Sequence, residues 1–422
     1  MNYKKTTLSN GLRILTVPMK NTETVTVIIM IGVGFRYETE REAGLSHFIE
    51  HMMFKGTKKR PTTLDISETL DSIGGEFNAF TGVDKTMYYA KVDAKHSEVA
   101  LDVISDMFLN SKMEEAEIER EKGTIIQEIN MIEDTPIIDV EIILGNLMYK
   151  KNPLGGHPAG SKKTVSAFKR KDFVDYLNRF YVANDSVVCI AGNFDEKKTL
   201  GLVKKYFSGM KKGVKPKYRK VTENQKKPEL IIKQKNTDQT HFLLGSRAFD
   251  FNHKDRFAVG LLSIILGGNM SSRLFIEVRE RRGLAYQIKT SVDAFEDCGY
   301  LATQAGVNHD KLELTIETIL NEYRKIYTEK VSRKELQKAK DFIKGKSVMS
   351  FESSDDVAMF FIDQEVKKRK IMALPEIFEK IDKVTESDIL RVAKNVFQNK
   401  KLNLAVIGPH KDGKKMEKIL KL

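Results

Sequence analysis

The spacing of apolar residues predicts a short amphipathic helix near residue 50. The positions that share one face, at i, i+3, i+4 and i+7, are Leu45, Phe48, Ile49 and Met52. The polar positions of the same segment fall on the opposite face, and they are His47, Glu50 and His51. Gly56 is a typical C-terminal stop, so we expect a helix of about three turns.

A second helix is predicted over residues 117–132, where four isoleucines mark a buried stripe. They are Ile118, Ile125, Ile129 and Ile132. Glu117, Glu121 and Glu128 share another face of this helix. Because seven residues make almost two full turns, Glu121 and Glu128 point the same way. Such an acidic face is also typical of an ordinary solvated helix.

Runs of β-branched and alternating residues predict strands in both halves of the chain. The run at residues 25–33 is a strand and not a membrane span, because about 20 apolar residues are needed to cross a bilayer. Further strands are predicted at residues 77–81, 187–191 and 402–407. Together with the helices, these patterns predict an α+β fold.

Several segments of the first half return in the second half at nearly one offset. Residues 20–24 and 89–93 recur 215 positions later, and the glycines of the two closing segments are 216 apart. This offset predicts one fold present twice. The offset maps His47, Glu50 and His51 onto Leu262, Ile265 and Leu266, and it maps Glu128 onto Ile343. The second copy therefore has apolar residues where the first has imidazoles and carboxylates.

The length of 422 residues also favours two domains over one core. A Lys-rich stretch with Gly and Pro shows neither helical nor strand periodicity, and we interpret it as an interdomain linker. We therefore predict a first domain at residues 1–212, a linker at 213–227 and a second domain at 228–422.

The net charge of +13 is spread along Lys-rich helices and the linker, and no nucleic-acid-binding module is recognisable. We therefore expect no nucleic-acid partner. The two cysteines, Cys189 and Cys298, lie in apolar or mixed stretches without paired spacing, which predicts buried free thiols and a reducing compartment. The amino end has no hydrophobic or Arg-rich targeting segment, so we expect a cytoplasmic protein.

The pair His47 and His51 predicts a metal site, because an i, i+4 pair gathers both imidazoles on one helix face. Two imidazoles leave zinc under-coordinated, and a catalytic site needs a third protein ligand and one open position. The acidic helix at residues 117–132 is the best source of that ligand. Spacing alone does not say which of its glutamates would bind.

The motif His47-x-x-Glu50-His51, with 76 residues between His51 and Glu128, resembles the inverted zinc metallopeptidases of the pitrilysin family. This family includes mitochondrial processing peptidase. Matching segments follow in order along nearly the whole chain, at residues 10–15, 74–81, 87–92, 153–155 and 271–286. The resemblance implies that Glu128 is the third zinc ligand, that Glu50 is the catalytic base and that Glu121 is a supporting carboxylate.

The resemblance also implies where substrate binds. Asn78, Ala79 and Phe80 match an edge strand that pairs with the substrate backbone. Arg279 and Tyr286 match an arginine and tyrosine pair that lines the catalytic chamber. Each domain is expected to be an antiparallel sheet with helices on one side, and the whole chain to be one half of a clamshell.

The implied activity is that of a zinc-dependent endopeptidase, with one Zn²⁺ per chain, that hydrolyses short or unfolded peptides in an enclosed chamber. Because one chain carries both the zinc motif and the Arg279 and Tyr286 pair, we expect a homodimer whose subunits complete each other's sites. A heterodimer with a related subunit is the alternative assembly. The alternative functions are a non-catalytic scaffold subunit and a processing peptidase specific for leader sequences.

Overall fold

The computed structural model describes residues 2–214, 217–367 and 370–422. Lys215 and Pro216, which belong to the predicted linker, lie outside the described residues. The described chain mixes helices and strands, which confirms the α+β prediction. The strands are β1 (Lys4–Thr7), β2 (Arg13–Pro18), β3 (Thr24–Ile31), β4 (Glu76–Thr81), β5 (Thr86–Asp93), β6 (Ser186–Gly192), β7 (Glu229–Gln234), β8 (Thr240–Ala248), β9 (Ala285–Ala294), β10 (Gly299–Val307) and β11 (Leu402–Gly408).

The α-helices lie between and after these strands. They are α1 (Leu45–Met52), α2 (Thr63–Asp71), α3 (Ser97–Asn110), α4 (Glu115–Asp134), α5 (Pro136–Met148), α6 (Lys162–Ala167), α7 (Arg170–Phe180), α8 (Glu196–Phe207), α9 (Arg256–Gly267), α10 (Leu312–Thr328), α11 (Arg333–Ser350), α12 (Ser354–Val366), α13 (Leu374–Asp382), α14 (Glu386–Val396) and α15 (Lys414–Ile419). Within the described ranges, no helix combines the length and the apolar character that a membrane crossing requires.

The two sheets share the order of five strands, and the first sheet has β1 as an additional edge strand. The first sheet runs β1-β2-β6-β3-β5-β4 and the second runs β7-β11-β8-β10-β9. The strands β2 and β7 begin 216 residues apart, as do the closing strands β6 and β11. This shared order confirms the internal repeat that the sequence predicted.

Neither sheet is wholly antiparallel, in contrast to the expectation. β6 pairs parallel to β2, and β11 pairs parallel to β7, while the other pairings are antiparallel. The reason is that each closing strand arrives after a long helical connection and enters between two earlier strands. A long crossover permits parallel pairing, whereas a tight hairpin permits only the antiparallel form.

The chain divides into two compact units that are not continuous along the sequence. The first comprises Met1–Ile129, Gly156–Arg219 and Ser347–Ala373, and the second comprises Asn130–Gly155, Lys220–Lys346 and Leu374–Leu422. Helix α5 of the first half thus belongs to the second unit, and α12 of the second half belongs to the first. The predicted domains were residues 1–212 and 228–422. The two units differ from them mainly because each half of the sequence contributes one internal segment to the other unit.

The exchanged helices cover the sheet faces that the other helices leave open, so helices lie on both sides of each sheet and not on one. In the first unit, Ile28 and Met30 of β3 pack with Val357 and Phe361 of α12. Alternate residues of β3, such as Val27, pack instead into the core that contains α1 and α3. In the second unit, Leu144 of α5 lies against Gly245 of β8, close enough that any side chain there would touch it.

Polar contacts fix α12 on the first sheet. The hydroxyl of Ser354 lies 2.9 Å from that of Thr24 and 2.8 Å from that of Thr26. Lys91 of β5 donates to Asp355 at 2.9 Å, and Lys85 donates to Asp363. These contacts span more than 260 residues of sequence, so only tertiary structure reveals them.

We predict that Phe361→Ala destabilises the first unit by about 3–5 kcal/mol, the usual cost of removing a buried phenylalanine ring. Phe361 is 1% exposed beneath the sheet. Urea unfolding of the full chain measures the effect. The matched control is Asp356→Ala on the exposed side of the same helix, which should change the free energy of unfolding by less than about 0.5 kcal/mol. Equal values for the two variants would contradict the packing of α12.

Candidate metal centre

The residues of the predicted metal site come from two helices of the first unit. Helix α1 carries His47 and His51, and α4 carries Glu128. Helix α1 is eight residues long, about two turns and not the three that the sequence predicted. It ends at Met52 because the chain then turns through Gly56, whose φ of +123° favours glycine.

Three potential ligand atoms converge between α1 and α4. Nε2 of His47 lies 3.4 Å from one carboxylate oxygen of Glu128, and Nε2 of His51 lies 3.5 Å from the other. Over the part of the chain that the structure describes, this is the one group of three whose ligand atoms lie within 4.8 Å of one another. The geometry therefore brings together the two histidines that the spacing predicted and the glutamate that the resemblance implied.

The donor set fits zinc. Two imidazoles and one carboxylate form one of the three-ligand sets found in catalytic zinc sites. Bonds of about 2.0–2.2 Å in a tetrahedral arrangement would separate neighbouring ligand atoms by roughly 3.3–3.6 Å, and the observed separations are 3.4 and 3.5 Å. The three side chains are between 12% and 29% exposed, so solvent reaches the group.

The charges within the group stabilise one another. Burial would lower the pKa of His47, but the hydrogen bond and charge of Glu128, together with the charge of Glu50, raise it overall. The hydrogen bond from His47 holds the pKa of Glu128 below its usual value, although burial opposes the shift. Glu128 is therefore kept as a carboxylate, the form that binds metal.

Glu121 lies behind His51, where the resemblance placed a supporting carboxylate. One of its oxygens lies 2.9 Å from Nδ1 of His51, and the other lies 2.6 Å from Nζ of Lys55. Burial alone would raise the pKa of Glu121, but the hydrogen bonds from His51 and Lys55 lower it. Because a carboxylate only accepts hydrogen bonds, this contact requires a proton on Nδ1 of His51, which leaves Nε2 as the nitrogen that faces Glu128 and can bind a metal.

Glu50 lies on α1 but does not belong to the three-ligand group. Its Oε2 accepts a hydrogen bond of 2.5 Å from the hydroxyl of Thr81, the last residue of β4. Sequence reasoning did not identify Thr81 as a functional residue. Its side chain alternates with those of Asn78 and Phe80, so it points to the other face of β4.

The predicted substrate-binding residues fall into two places. Asn78, Ala79 and Phe80 lie on β4, which pairs with β5 alone and forms one edge of the first sheet. Arg279 and Tyr286 lie in the second unit, where the guanidinium carbon is 4.7 Å from the centre of the Tyr286 ring. Tyr286 is 79% exposed. The structure thus brings the Arg279 and Tyr286 side chains together on an accessible surface.

Glu38 is a second residue that the sequence gave no reason to select. Its carboxylate accepts hydrogen bonds of 2.7 Å from the backbone N–H groups of Gly44 and Ser46, at the beginning of α1. Burial raises the pKa of Glu38 to about 8, although those backbone hydrogen bonds lower it. Glu38 therefore satisfies two donors that the first turn of the metal helix would otherwise leave unpaired.

Known families and structures match this chain over most of its length. The family described as "Insulinase (Peptidase family M16)" matches residues 13–162, and "Peptidase M16 inactive domain" matches residues 167–342. The first match contains the histidines and Glu128. The second contains the equivalent positions of the repeat, Leu262, Ile265 and Leu266, which are buried in the core.

Curated relatives include an "uncharacterized zinc protease" of Rickettsia felis, 34% identical over 97% of this chain and 98% of that protein. A protein with a similar description from Bacillus subtilis is 33% identical over 96% of this chain and 98% of its own length. A protease from Helicobacter pylori has a crystal structure that matches with a TM-score of 0.90 and 25% identity, over 97% of this chain and 99% of that one. These matches confirm the resemblance drawn from the His47-x-x-Glu50-His51 motif, and the chain belongs to the insulinase family of peptidases, family M16.

Proposed function

We propose that this protein is a zinc-dependent endopeptidase. The observation that carries the proposal is the convergence of His47, His51 and Glu128, with the carboxylate of Glu50 on the same helix as the histidines but outside the ligand group. The family match and the zinc protease descriptions of the relatives support it. A non-catalytic scaffold subunit would have no need of this whole group, so it is the weaker candidate.

His47, His51 and Glu128 would hold one zinc ion per chain. When bound, zinc acts as a Lewis acid on a peptide carbonyl and increases the acidity of a water molecule. The ligand side chains remain partly exposed, so in this proposal a peptide reaches the group from solvent.

In this proposal Glu50 acts as the general base and then as the general acid. Thr81 occupies Oε2 of Glu50, so Oε1 remains to accept a proton from the attacking water. As the carbonyl carbon gains its bond to oxygen and loses its bond to nitrogen, Glu50 returns that proton to the leaving amine. The reaction consumes one water molecule, and Glu50 ends as it began.

Strand β4 would hold the peptide in an extended form. Its outer edge has no partner strand within the described residues, so its backbone groups can pair with a peptide by β-augmentation. Backbone pairing recognises an extended chain more than any side chain. We therefore propose short or unfolded peptides as substrates, with Asn78, Ala79 and Phe80 as the contacting residues.

The proposed assembly is a homodimer that encloses the substrate. Arg279 and Tyr286 of one chain would contact the peptide bound at the zinc site of the other. The alternative assembly remains a heterodimer with a related subunit. Both cysteines are buried thiols, Cys189 with no exposure and Cys298 with 3%, which fits the reducing conditions of the cytoplasm.

The first test of the proposal is Glu50→Gln. We expect about one zinc per chain by elemental analysis in both proteins, and a loss of about 10²–10⁴-fold in kcat for the variant, the usual contribution of a general base. Cleavage of a quenched fluorescent peptide library measures kcat. The control is Glu119→Gln on the exposed side of α4, with unchanged turnover. Full activity of the Glu50 variant would refute the assignment.

A second prediction concerns Thr81. Thr81→Val removes the hydroxyl but keeps the shape of the side chain, so kcat should fall about 10-fold or more, as expected for a lost hydrogen bond to a charged group. Thr81→Ser should retain most of the activity, and KM should change little in both variants. Steady-state kinetics on one peptide gives both parameters. Equal kcat values for the Val and Ser variants would show that the hydrogen bond has no catalytic role.

Mixing two inactive variants tests the proposed dimer. After subunit exchange between Glu50→Gln and Arg279→Ala chains, each mixed dimer contains one intact site, made of Glu50 from one chain and Arg279 from the other. When equal amounts are mixed, half of the dimers contain one chain of each variant, and each of these has one of its two sites intact. About one quarter of the unmutated activity should therefore return if the two-fold interface is shared in this way. No recovery after confirmed exchange would show that each chain completes its own site.

A further inference from the structure

Lys55 contacts the metal site through one intervening carboxylate. Its Nζ lies 2.6 Å from Oε2 of Glu121, and Oε1 of Glu121 lies 2.9 Å from Nδ1 of His51. Glu121 is 4% exposed, so its charge has little access to water. Each of its oxygens therefore has one protein partner, and the two partners together fix the plane of the carboxylate.

The backbone around Lys55 is also fixed. Its N–H donates to the carbonyl of Met52 at 3.1 Å, which continues the end of α1 by one turn. The hydroxyl of Ser111 donates to the same carbonyl at 3.2 Å, and the N–H of Lys112 donates to the carbonyl of Gly56 at 3.2 Å. The segment after α3 thus holds the turn from which Lys55 reaches Glu121.

The two histidines differ in how they are held. Nδ1 of His51 forms a hydrogen bond with Glu121. Nδ1 of His47 is buried and has no hydrogen-bond partner among the residues that the structure describes. The orientation of His47 therefore depends on packing and on Glu128, whereas the orientation of His51 also depends on an ionic pair.

From this asymmetry we infer that Lys55 is a positioning residue that sets the zinc affinity of the site through Glu121 and His51. The inference rests on the proposed zinc site. Without Lys55, the buried carboxylate of Glu121 would have one oxygen without a partner, which is costly for a buried charge. Glu121 could then rotate or admit water, and His51 would lose its fixed orientation.

The test is the zinc dissociation constant of Lys55→Met, measured by competition with a chromophoric chelator. We expect zinc binding about 10-fold weaker, the lower end of the range for groups that orient metal ligands. The matched control is Lys122→Met. Lys122 lies on α4 next to Glu121 and pairs with Glu119 at 2.7 Å, so its loss should leave the zinc affinity unchanged.

A double-mutant cycle distinguishes a positioning role of Lys55 from a nonspecific loss of structure. If Lys55 acts through Glu121, Lys55→Met should weaken zinc binding much less in a Glu121→Gln background than in the unmutated chain. The visible spectrum of the cobalt-substituted protein should change in Lys55→Met but not in Lys122→Met. Lys55→Arg, which keeps the positive charge, should restore part of the affinity.

Equal zinc affinities for the Lys55→Met and Lys122→Met variants would overturn the inference, as would full additivity with Glu121→Gln. The inference and the proposed function fail in different ways. A chain that binds zinc, shows the Lys55 effect and cleaves no peptide would contradict the endopeptidase proposal alone. An unmutated chain that takes up no zinc would contradict both.

Discussion

The candidate metal centre depends on one constraint: a two-turn helix and a long one must be held so that two imidazoles lie 3.4 and 3.5 Å from one carboxylate. A helix as short as α1 is marginal on its own, so its neighbours must fix it. Glu38 caps its beginning, and the segment at residues 111–112 holds the turn after it. Phe48 packs edge-on against Phe173 at 4.8 Å between ring centres, which fixes the apolar face.

The internal repeat explains why only the first half carries this site. Both sheets share the order of five strands, but the second-half positions equivalent to the histidines and Glu50 are apolar and buried. Those residues add to the core of the second unit. The exchanged helix α12 then covers one face of the first sheet, and α5 covers one face of the second. A cut in the linker would therefore leave each sheet and one of the helices that cover it on different fragments of the chain.

Local patterns predicted several elements and two of the metal ligands, because both depend on short spacings. The stripe from Leu45 to Met52 predicted α1, and the i, i+4 histidines predicted two ligands. The third ligand was chosen by resemblance, since α4 offers several glutamates. The parallel strand pairs, the helix exchange and the roles of Glu38 and Thr81 were not predicted. Each of these depends on contacts between segments that are distant or irregular in sequence, such as Thr24 with Ser354, 330 residues apart.

The most direct test of the account is X-ray absorption at the zinc edge on the purified protein. The account predicts about one zinc per chain with only nitrogen and oxygen neighbours at about 2.0–2.2 Å, and with the scattering pattern of two imidazoles. That signal should be lost from a variant in which both His47 and His51 are replaced. A protein that binds zinc through sulfur, or with an unchanged spectrum in that variant, would contradict the account.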